Sequence, residues 1–139
     1  DIGDENWGYA YADVDAESWY GTAVYWARLN GIAGGYDDAT FGPNDPITRE
    51  QMAAILFRYA AKSGFDTSAR GNLDQYPDRG DVSGYAVEPL SWAVAEGLIK
   101  GTDNGNGILL DPGQCHPRSG RNDHHAVYSY RSRQVKRLP

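Results

Sequence analysis

The chain repeats itself, and this limits the folds open to it. Residues 19–32 align without a gap with residues 85–98, an offset of 66 residues. The identical pairs are Trp26 with Trp92, Ala27 with Ala93, and Gly31 with Gly97. Shorter matches flank this alignment, namely Tyr11-Ala-Asp13 with Tyr76-Pro-Asp78 and Phe41-Gly-Pro43 with Leu110-Asp-Pro112. Because a small unit cannot bury its apolar face alone, the pattern predicts repeats that pack on one another.

The first copy has the pattern of a helix, a loop and a second helix. Apolar residues recur every three or four positions ahead of Gly31, which predicts a helix that the glycine ends. The stripe of this helix is Trp19, Ala23, Trp26, Ala27 and Asn30. Residues 34–46 are rich in Gly, Asp and Pro, so we expect an ordered loop anchored by Phe41. Thr48 and Gln51 have the spacing of a capping box, and the apolar stripe behind them is Met52, Ile55, Leu56 and Tyr59.

The second copy repeats only part of this pattern. A helix is predicted at about residues 85–96, beginning near Val87 because Pro89 is tolerated only in a first helical turn. A Gly-rich loop follows at residues 100–113. A second helix does not follow, because the next residues lack helical periodicity and include Pro117 and Gly120.

The composition changes sharply at the same point. Residues 1–113 carry 7 basic and 18 acidic side chains, a formal charge of −11, whereas the tail at 114–139 carries 6 basic and 1 acidic, a charge of +5. The three histidines and the single cysteine all lie in this tail. Back-translation of its first part, shifted by one base, gives a Thr-Arg helix like the one that starts at Thr48. We therefore hypothesise that the tail is a frameshift product, and a natural basic tail is the alternative.

These observations predict five segments. Residues 1–10 are a linker or the remnant of a preceding repeat, and residues 11–62 are the first repeat. Residues 63–75 form a linker, residues 76–113 are the second repeat without its last helix, and residues 114–139 are the aberrant basic tail.

In their order and spacing, the motifs resemble the S-layer homology (SLH) repeat. The residues that carry the resemblance in the first copy are Tyr11-Ala-Asp13, Trp19-Tyr, Trp26-Ala27, Asn30-Gly31-Ile32, Gly34-Gly35, Thr40-Phe41-Gly-Pro43 and Ile47-Thr-Arg49-Glu50-Gln-Met-Ala. The second copy matches through Pro112 and then departs from the pattern. The resemblance covers residues 11–113.

The resemblance implies a non-catalytic anchoring module with an all-α fold, in which helix–loop–helix repeats pack as prongs of a pseudo-three-fold bundle. Such modules hold exported proteins to secondary cell-wall polysaccharide, often pyruvylated, in the cell wall or S-layer of Gram-positive-type bacteria. Neighbouring repeats or the parent polypeptide are further implied partners, and no cofactor, metal or catalytic residue is implied. The ligand-binding residues carried over are Arg49, Asp13, Trp19, Gly34, Gly35, Thr48 and Asp78.

Elementary chemistry is compatible with such binding. The net charge of −6 argues against a nucleic acid or an anionic membrane as partner, so attraction to an acidic polysaccharide must be local. Arg49 lies in a first helical turn, where backbone N–H groups favour an anion, and its guanidinium can pair with a carboxylate. Arg49 could equally be a surface arginine, and Asp13 could cap the segment ahead of the first helix.

Other functions stay open on the sequence alone. Adjacent carboxylates such as Asp37 and Asp38 diverge, which does not favour a glycosidase pair. The segments 13–17 and 103–107 could hold calcium but do not fit the 12-residue ligand register. Cys115-His116 and His124-His125 resemble zinc ligands but belong to the aberrant tail. The stronger rival is a structural or protein-interaction role of the repeats in S-layer assembly.

Overall fold

A computed structural model describes residues 11–103, 105 and 107–113 of the chain. The helices are α1 (Gly21–Leu29), α2 (Arg49–Lys62) and α3 (Val87–Ala95). Two short strands, β1 (Thr102–Asp103) and β2 (Ile108–Leu109), pair antiparallel, and 3₁₀ turns span Leu73–Gln75, Arg79–Asp81 and Gly84–Ala86. The predicted all-α fold is confirmed only in the coarser sense of a mainly helical protein, because the second Gly-rich loop contains a β-hairpin that was not predicted. The predictions for residues 1–10 and 114–139, including the replaced helix, lie outside the described residues.

The chain divides into two compact units, Asp1–Pro46 and Ile47–Pro139. Unit one contains α1 and the loop after it, and unit two contains α2, α3 and the β-hairpin. The division therefore falls between the two helices of the first repeat, and α2 packs against α3 of the second repeat.

The offset of 66 residues holds in the backbone as well as in the sequence. Helices α1 and α3 begin and end 66 residues apart. Gly31 and Gly97 end them with positive φ values of 66° and 70°, the conformation that glycine adopts without steric cost. The bonds that close both helices match too, since Ile32 N donates to Ala27 O and Leu98 N donates to Ala93 O, each over 2.8 Å.

Unit one buries a different face of α1 from the predicted one. The helix begins only at Gly21, and its buried residues are Gly21, Val24 and Tyr25. Trp19 precedes the helix and is 92% exposed, and Ala23 is also exposed. A Cβ at Gly21 would lie 2.6 Å from Ala16 O, so the preceding turn packs on this glycine. The predicted stripe is thus only partly buried, since Trp26, Ala27 and Asn30 are half-buried while the most buried face includes a glycine that carries no hydrophobic signal.

The core of unit two lies between α2 and α3. Leu90 and Trp92 of α3 are fully buried, and the ring of Trp92 meets that of Phe57 edge-on at 5.5 Å. Helix α2 contributes fully buried Ala53 and Ala60. Of the stripe predicted for α2, Leu56 packs against this core, whereas Met52 and Ile55 are half-buried and Tyr59 is exposed. The stripe was shifted because two alanines, small enough for close helix contact, occupy the packed face.

Two local predictions for the helix starts are confirmed. The capping box of α2 is formed, since Gln51 N donates to Thr48 Oγ1 over 3.2 Å and Thr48 N donates to Gln51 Oε1 over 2.9 Å. Helix α3 begins at Val87, which places Pro89 in its first turn. The longest of these helices, α2, has 14 residues, and no helix in the described part of the chain has the length and apolarity of a membrane span.

Candidate functional site

The start of α2 holds the arginine that the sequence singled out. Arg49 is the first helical residue, directly after the Thr48 cap. Its Nη2 donates to the carbonyl oxygen of Lys100 over 2.7 Å, while its Nε is buried and has no hydrogen-bond partner among the described residues. The guanidinium is therefore held at one corner by a backbone oxygen and has donors to spare. A half-buried arginine with unused donors is suited to an anion such as a carboxylate.

Glu50, the residue after Arg49, is turned inward and only 8% exposed. Its Oε2 accepts from Ser83 N over 3.0 Å, and its Oε1 accepts from Ser83 Oγ over 2.7 Å and from Tyr85 Oη over 3.3 Å. Burial first, and then the charge of Glu50, raises the pKa of Tyr85 above its usual 10.0. Glu50 N donates in turn to Pro112 O over 3.1 Å. Glu50 thus joins the start of α2 to the second repeat.

Asp13 and Asp78 each hold a Gly-rich loop by its backbone. In unit one, Phe41 N and Gly42 N donate to the two carboxylate oxygens of Asp13 over 2.8 and 2.7 Å. These bonds, that from Phe41 first, lower the pKa of Asp13 below its usual 3.8. Unit two contains the same arrangement, with donors Leu110 N at 2.9 Å and Asp111 N at 2.8 Å on Asp78.

These bonds assign both aspartates a structural task. Gly42 and its counterpart Asp111 both have positive φ, 76° and 48°, so each carboxylate binds the loop where the chain turns sharply. The N-cap of α1 itself is Tyr20, which makes no side-chain capping bond. A direct ligand contact by Asp13 or Asp78 stays a prediction.

The loop glycines differ between the two repeats. Gly35 has a φ of 72°, and a Cβ there would lie 2.6 Å from Thr40 O, so only glycine fits. Gly101 is its counterpart in the second repeat. Gly34 accepts a hydrogen bond from Tyr11 Oη over 2.6 Å on its carbonyl oxygen, and a Cβ at Gly34 would meet nothing within 4 Å. The second repeat has Lys100 at the position of Gly34.

Exposed aromatic rings lie near the start of α1 and in the following loop. Trp19 contacts Tyr20 edge-on, with ring centroids 5.4 Å apart. Tyr36 is exposed and donates to Asp45 Oδ2 over 2.9 Å, which raises the pKa of the phenol. Such faces can stack on sugar rings. Four predicted site residues, Asp13, Trp19, Gly34 and Gly35, lie in unit one, and Thr48, Arg49 and Asp78 lie in unit two.

Glu50 and Lys100 were not among the residues predicted for the site. The Thr-Arg-Glu motif contains Glu50, but a glutamate in a first helical turn is ordinarily satisfied by the helix dipole, so nothing in the sequence indicated burial. The only signal for Lys100 in the sequence is that a lysine stands there where the first repeat has Gly34. In the described ranges no cluster of three or more His, Cys, Asp or Glu residues is arranged to hold a metal ion. The cysteine and histidines of the tail lie outside those ranges.

Comparison with known proteins identifies a family. The model of the S-layer homology domain matches residues 10–53 and 75–106. The Surface-layer 125 kDa protein of Lysinibacillus sphaericus is 33% identical over 102 residues, which are 73% of this chain and 8% of that protein. A Cellulosome-anchoring protein of Acetivibrio thermocellus is 28% identical over 98 residues, 70% of this chain and 21% of that protein.

An enzyme is also among the relatives. The Amylopullulanase of Thermoanaerobacterium thermosulfurigenes is 32% identical over 104 residues, 74% of this chain and 6% of that protein. The chain thus spans about a fifth or less of the length of each of these relatives. No solved structure matched the chain significantly.

Proposed function

Because the chain belongs to the S-layer homology domain family, a family of non-catalytic modules that anchor proteins at the cell surface, we propose that it binds a secondary cell-wall polysaccharide non-covalently. The proposed ligand carries carboxylates, such as those of pyruvate ketals, and the proposed location is the cell wall or S-layer of a Gram-positive-type bacterium. The parent protein would then be held at the surface by this module, whatever its own activity.

The observation that carries the proposal is the state of Arg49. Its guanidinium is half-buried, fixed through Nη2 to Lys100 O, and has no carboxylate partner among the described residues. Since burying a charge without a counter-ion is unfavourable, an anion that pairs with the accessible part of the Arg49 guanidinium is stabilised by the ion pair. The capped start of α2 adds the partial positive charge of a helix N-terminus.

The other predicted site residues have proposed roles within their own units. Thr48 fixes the start of the helix that carries Arg49, and Gly34 and Gly35 allow a sugar to approach the loop backbone. Trp19 offers an exposed ring for stacking on a sugar face. Asp78 and Asp13 hold the loops, and any hydroxyl contacts that they make are additional to the backbone bonds described above.

A binding assay on cell walls tests the proposal. Purified sacculi with and without their secondary polysaccharide are incubated with the chain and with Arg49→Ala. The matched control is Arg79→Ala, which also removes an arginine from unit two but one that pairs with the exposed carboxylate of Asp74. We expect polysaccharide-dependent binding by the chain and the control, and a loss of about tenfold or more for Arg49→Ala, as for a charge-assisted hydrogen-bonded pair. Equal binding by Arg49→Ala, or binding that does not need the polysaccharide, contradicts the proposal.

A second function, packing against neighbouring repeats, is favoured by a difference between α1 and α3. Trp92 and Ala93 are fully buried beneath α2, whereas their counterparts Trp26 and Ala27 are only half-buried. We propose that α1 accepts an α2-like helix from an adjacent repeat, as in a pseudo-three-fold bundle of prongs. Co-expression with such a repeat should give a complex that Ala27→Arg disrupts, and a chain that stays monomeric in its presence would contradict this role.

A further inference from the structure

Unit two contains two cationic residues, Arg49 and Lys100, that are linked through the backbone of Lys100 and have no ion-pair partner among the described residues. Arg49 and Lys100 are joined by the bond from Nη2 to the Lys100 carbonyl oxygen. Three other arginines, Arg28, Arg70 and Arg79, each pair with a carboxylate. Neither Arg49 nor Lys100 does so in the part of the chain that the structure describes. In a module with a large excess of acidic residues, this local surplus of positive charge attracts an anion from outside.

The nearest acidic residue in the sequence does not cancel this charge. The carboxylate of Glu50 is committed to Ser83 and Tyr85 and is turned into the unit. Because Glu50 is bound to these donors, its carboxylate does not pair with Arg49 or Lys100. Within the Thr-Arg-Glu motif, the Glu50 carboxylate is therefore buried in unit two, while the Arg49 guanidinium remains available at the start of α2.

The backbone from which the Lys100 side chain leaves is fixed. Ile99 on one side is buried in the core of unit two. Gly101 on the other side is tightly packed, since a Cβ there would overlap Ile108 Cγ2 and lie 2.9 Å from Tyr76 Cε1. Lys100 itself is exposed. Lys100 therefore carries a flexible four-carbon stem on a fixed backbone position whose carbonyl oxygen is bound by Arg49.

The repeat alignment shows that this cation is a local addition. The counterpart of Lys100 in the first repeat is Gly34, which carries no side chain, while the glycine that follows is kept as Gly35 and Gly101. The loop fold thus does not require a lysine at this position. The Lys100 side chain is therefore free of a structural task in the described loop, and its backbone lies against an arginine with unused donors.

We propose that Lys100 is a second contact for the polysaccharide at the Arg49 site, so that both cations hold one carboxylate-bearing sugar segment and select it over its neutral form. This inference rests on the proposed function, because it assigns a further specificity-determining residue to the same site. Arg49 supplies directional hydrogen bonds, and Lys100 adds a mobile charge whose effect weakens as salt is added.

The experiment measures binding of the 139-residue chain to purified wall polysaccharide and to the same polymer with its carboxyl groups reduced to alcohols. The variants are Lys100→Met, Arg49→Ala and Lys62→Met. Lys62 is the matched control, because it is the exposed last residue of α2, about 20 Å along the helix from Arg49. Its substitution removes the same charge and leaves the site unchanged.

We expect Lys100→Met to bind the native polymer about fivefold more weakly at low salt, with the difference shrinking at high salt, while Lys62→Met binds like the original chain. Against the reduced polymer, Lys100→Met and the original chain should bind equally weakly. If Arg49→Ala loses binding but Lys100→Met matches Lys62→Met, the role of Lys100 is refuted and the proposed function stands. If the original chain does not distinguish native from reduced polymer, both are refuted.

Discussion

Substitution of Asp78 by asparagine tests whether the carboxylate holds the second Gly-rich loop. The change is nearly isosteric, but it removes the charge and turns one of the two acceptors into an amide donor that faces a backbone N–H. In the original chain the Asp78 carboxylate accepts hydrogen bonds from Leu110 N and Asp111 N, and Leu110 is fully buried. Hydrogen bonds to a charged group contribute roughly 1.5–3 kcal/mol each, and a buried donor without a partner costs about 1–3 kcal/mol. We expect unit two to lose about 2–4 kcal/mol of unfolding free energy.

Two measurements follow this loss. Urea unfolding of the 139-residue chain gives the change in stability, and hydrogen exchange followed by NMR gives the local effect. At about 1.4 kcal/mol for each factor of ten, the amides of Leu110 and Asp111 should exchange about 30-fold faster or more in Asp78→Asn. The control is Asp81→Asn, an exposed position three residues away. Equal stability and equal amide protection in the two variants would refute the reasoning, since the carboxylate bonds would then contribute nothing.

Two further predictions concern the loops. Gly101→Ala should destabilise unit two by about 1–3 kcal/mol in urea unfolding, because the added methyl group overlaps Ile108 and crowds Tyr76. The control Gly80→Ala, with nothing within 4 Å of the new atom, should change stability by less than about 1 kcal/mol. Similar losses of stability in both variants would contradict the tight packing at Gly101. Because the pKa of Asp13 is lowered in the folded state, its bonds to the loop backbone should stabilise unit one fully above pH 3.8, and this stabilisation should be lost as the pH falls through the lower folded-state pKa. An NMR titration in which Asp13 protonates at or above pH 3.8 would contradict this.

Backbone features with a local cause were predictable from the sequence. Thr48 and Gln51 form the capping box at the expected place, Pro89 fixes the start of α3, and Gly31 ends α1. Each depends on the chemistry of one or two residues close together in the chain. Because the two copies are 66 residues apart, the bounds of α1 also predict those of α3.

Features that depend on packing partners were not predictable. The exposure of Trp19 and the shifted stripe of α2 follow from which helix faces which, and hydrophobicity alone favours large residues over Ala53 and Ala60. The inward turn of Glu50 depends on Ser83, 33 residues away in sequence. For the candidate site, Arg49 was found through its motif, whereas Lys100 became a candidate only when its carbonyl oxygen was seen to bind the arginine.

The boundary at Pro46 has a consequence for fusion proteins that carry this module. A designer guided by the repeats would cut between residues 63 and 75, but Gly71 exchanges hydrogen bonds with Ser91 there, and Phe65 and Leu73 pack on the core. Such a cut would separate α2 from α3 and leave both with exposed apolar faces. A cut after residue 46 keeps the helix pair intact, so the transplantable piece is half a repeat out of phase with the repeat in the sequence.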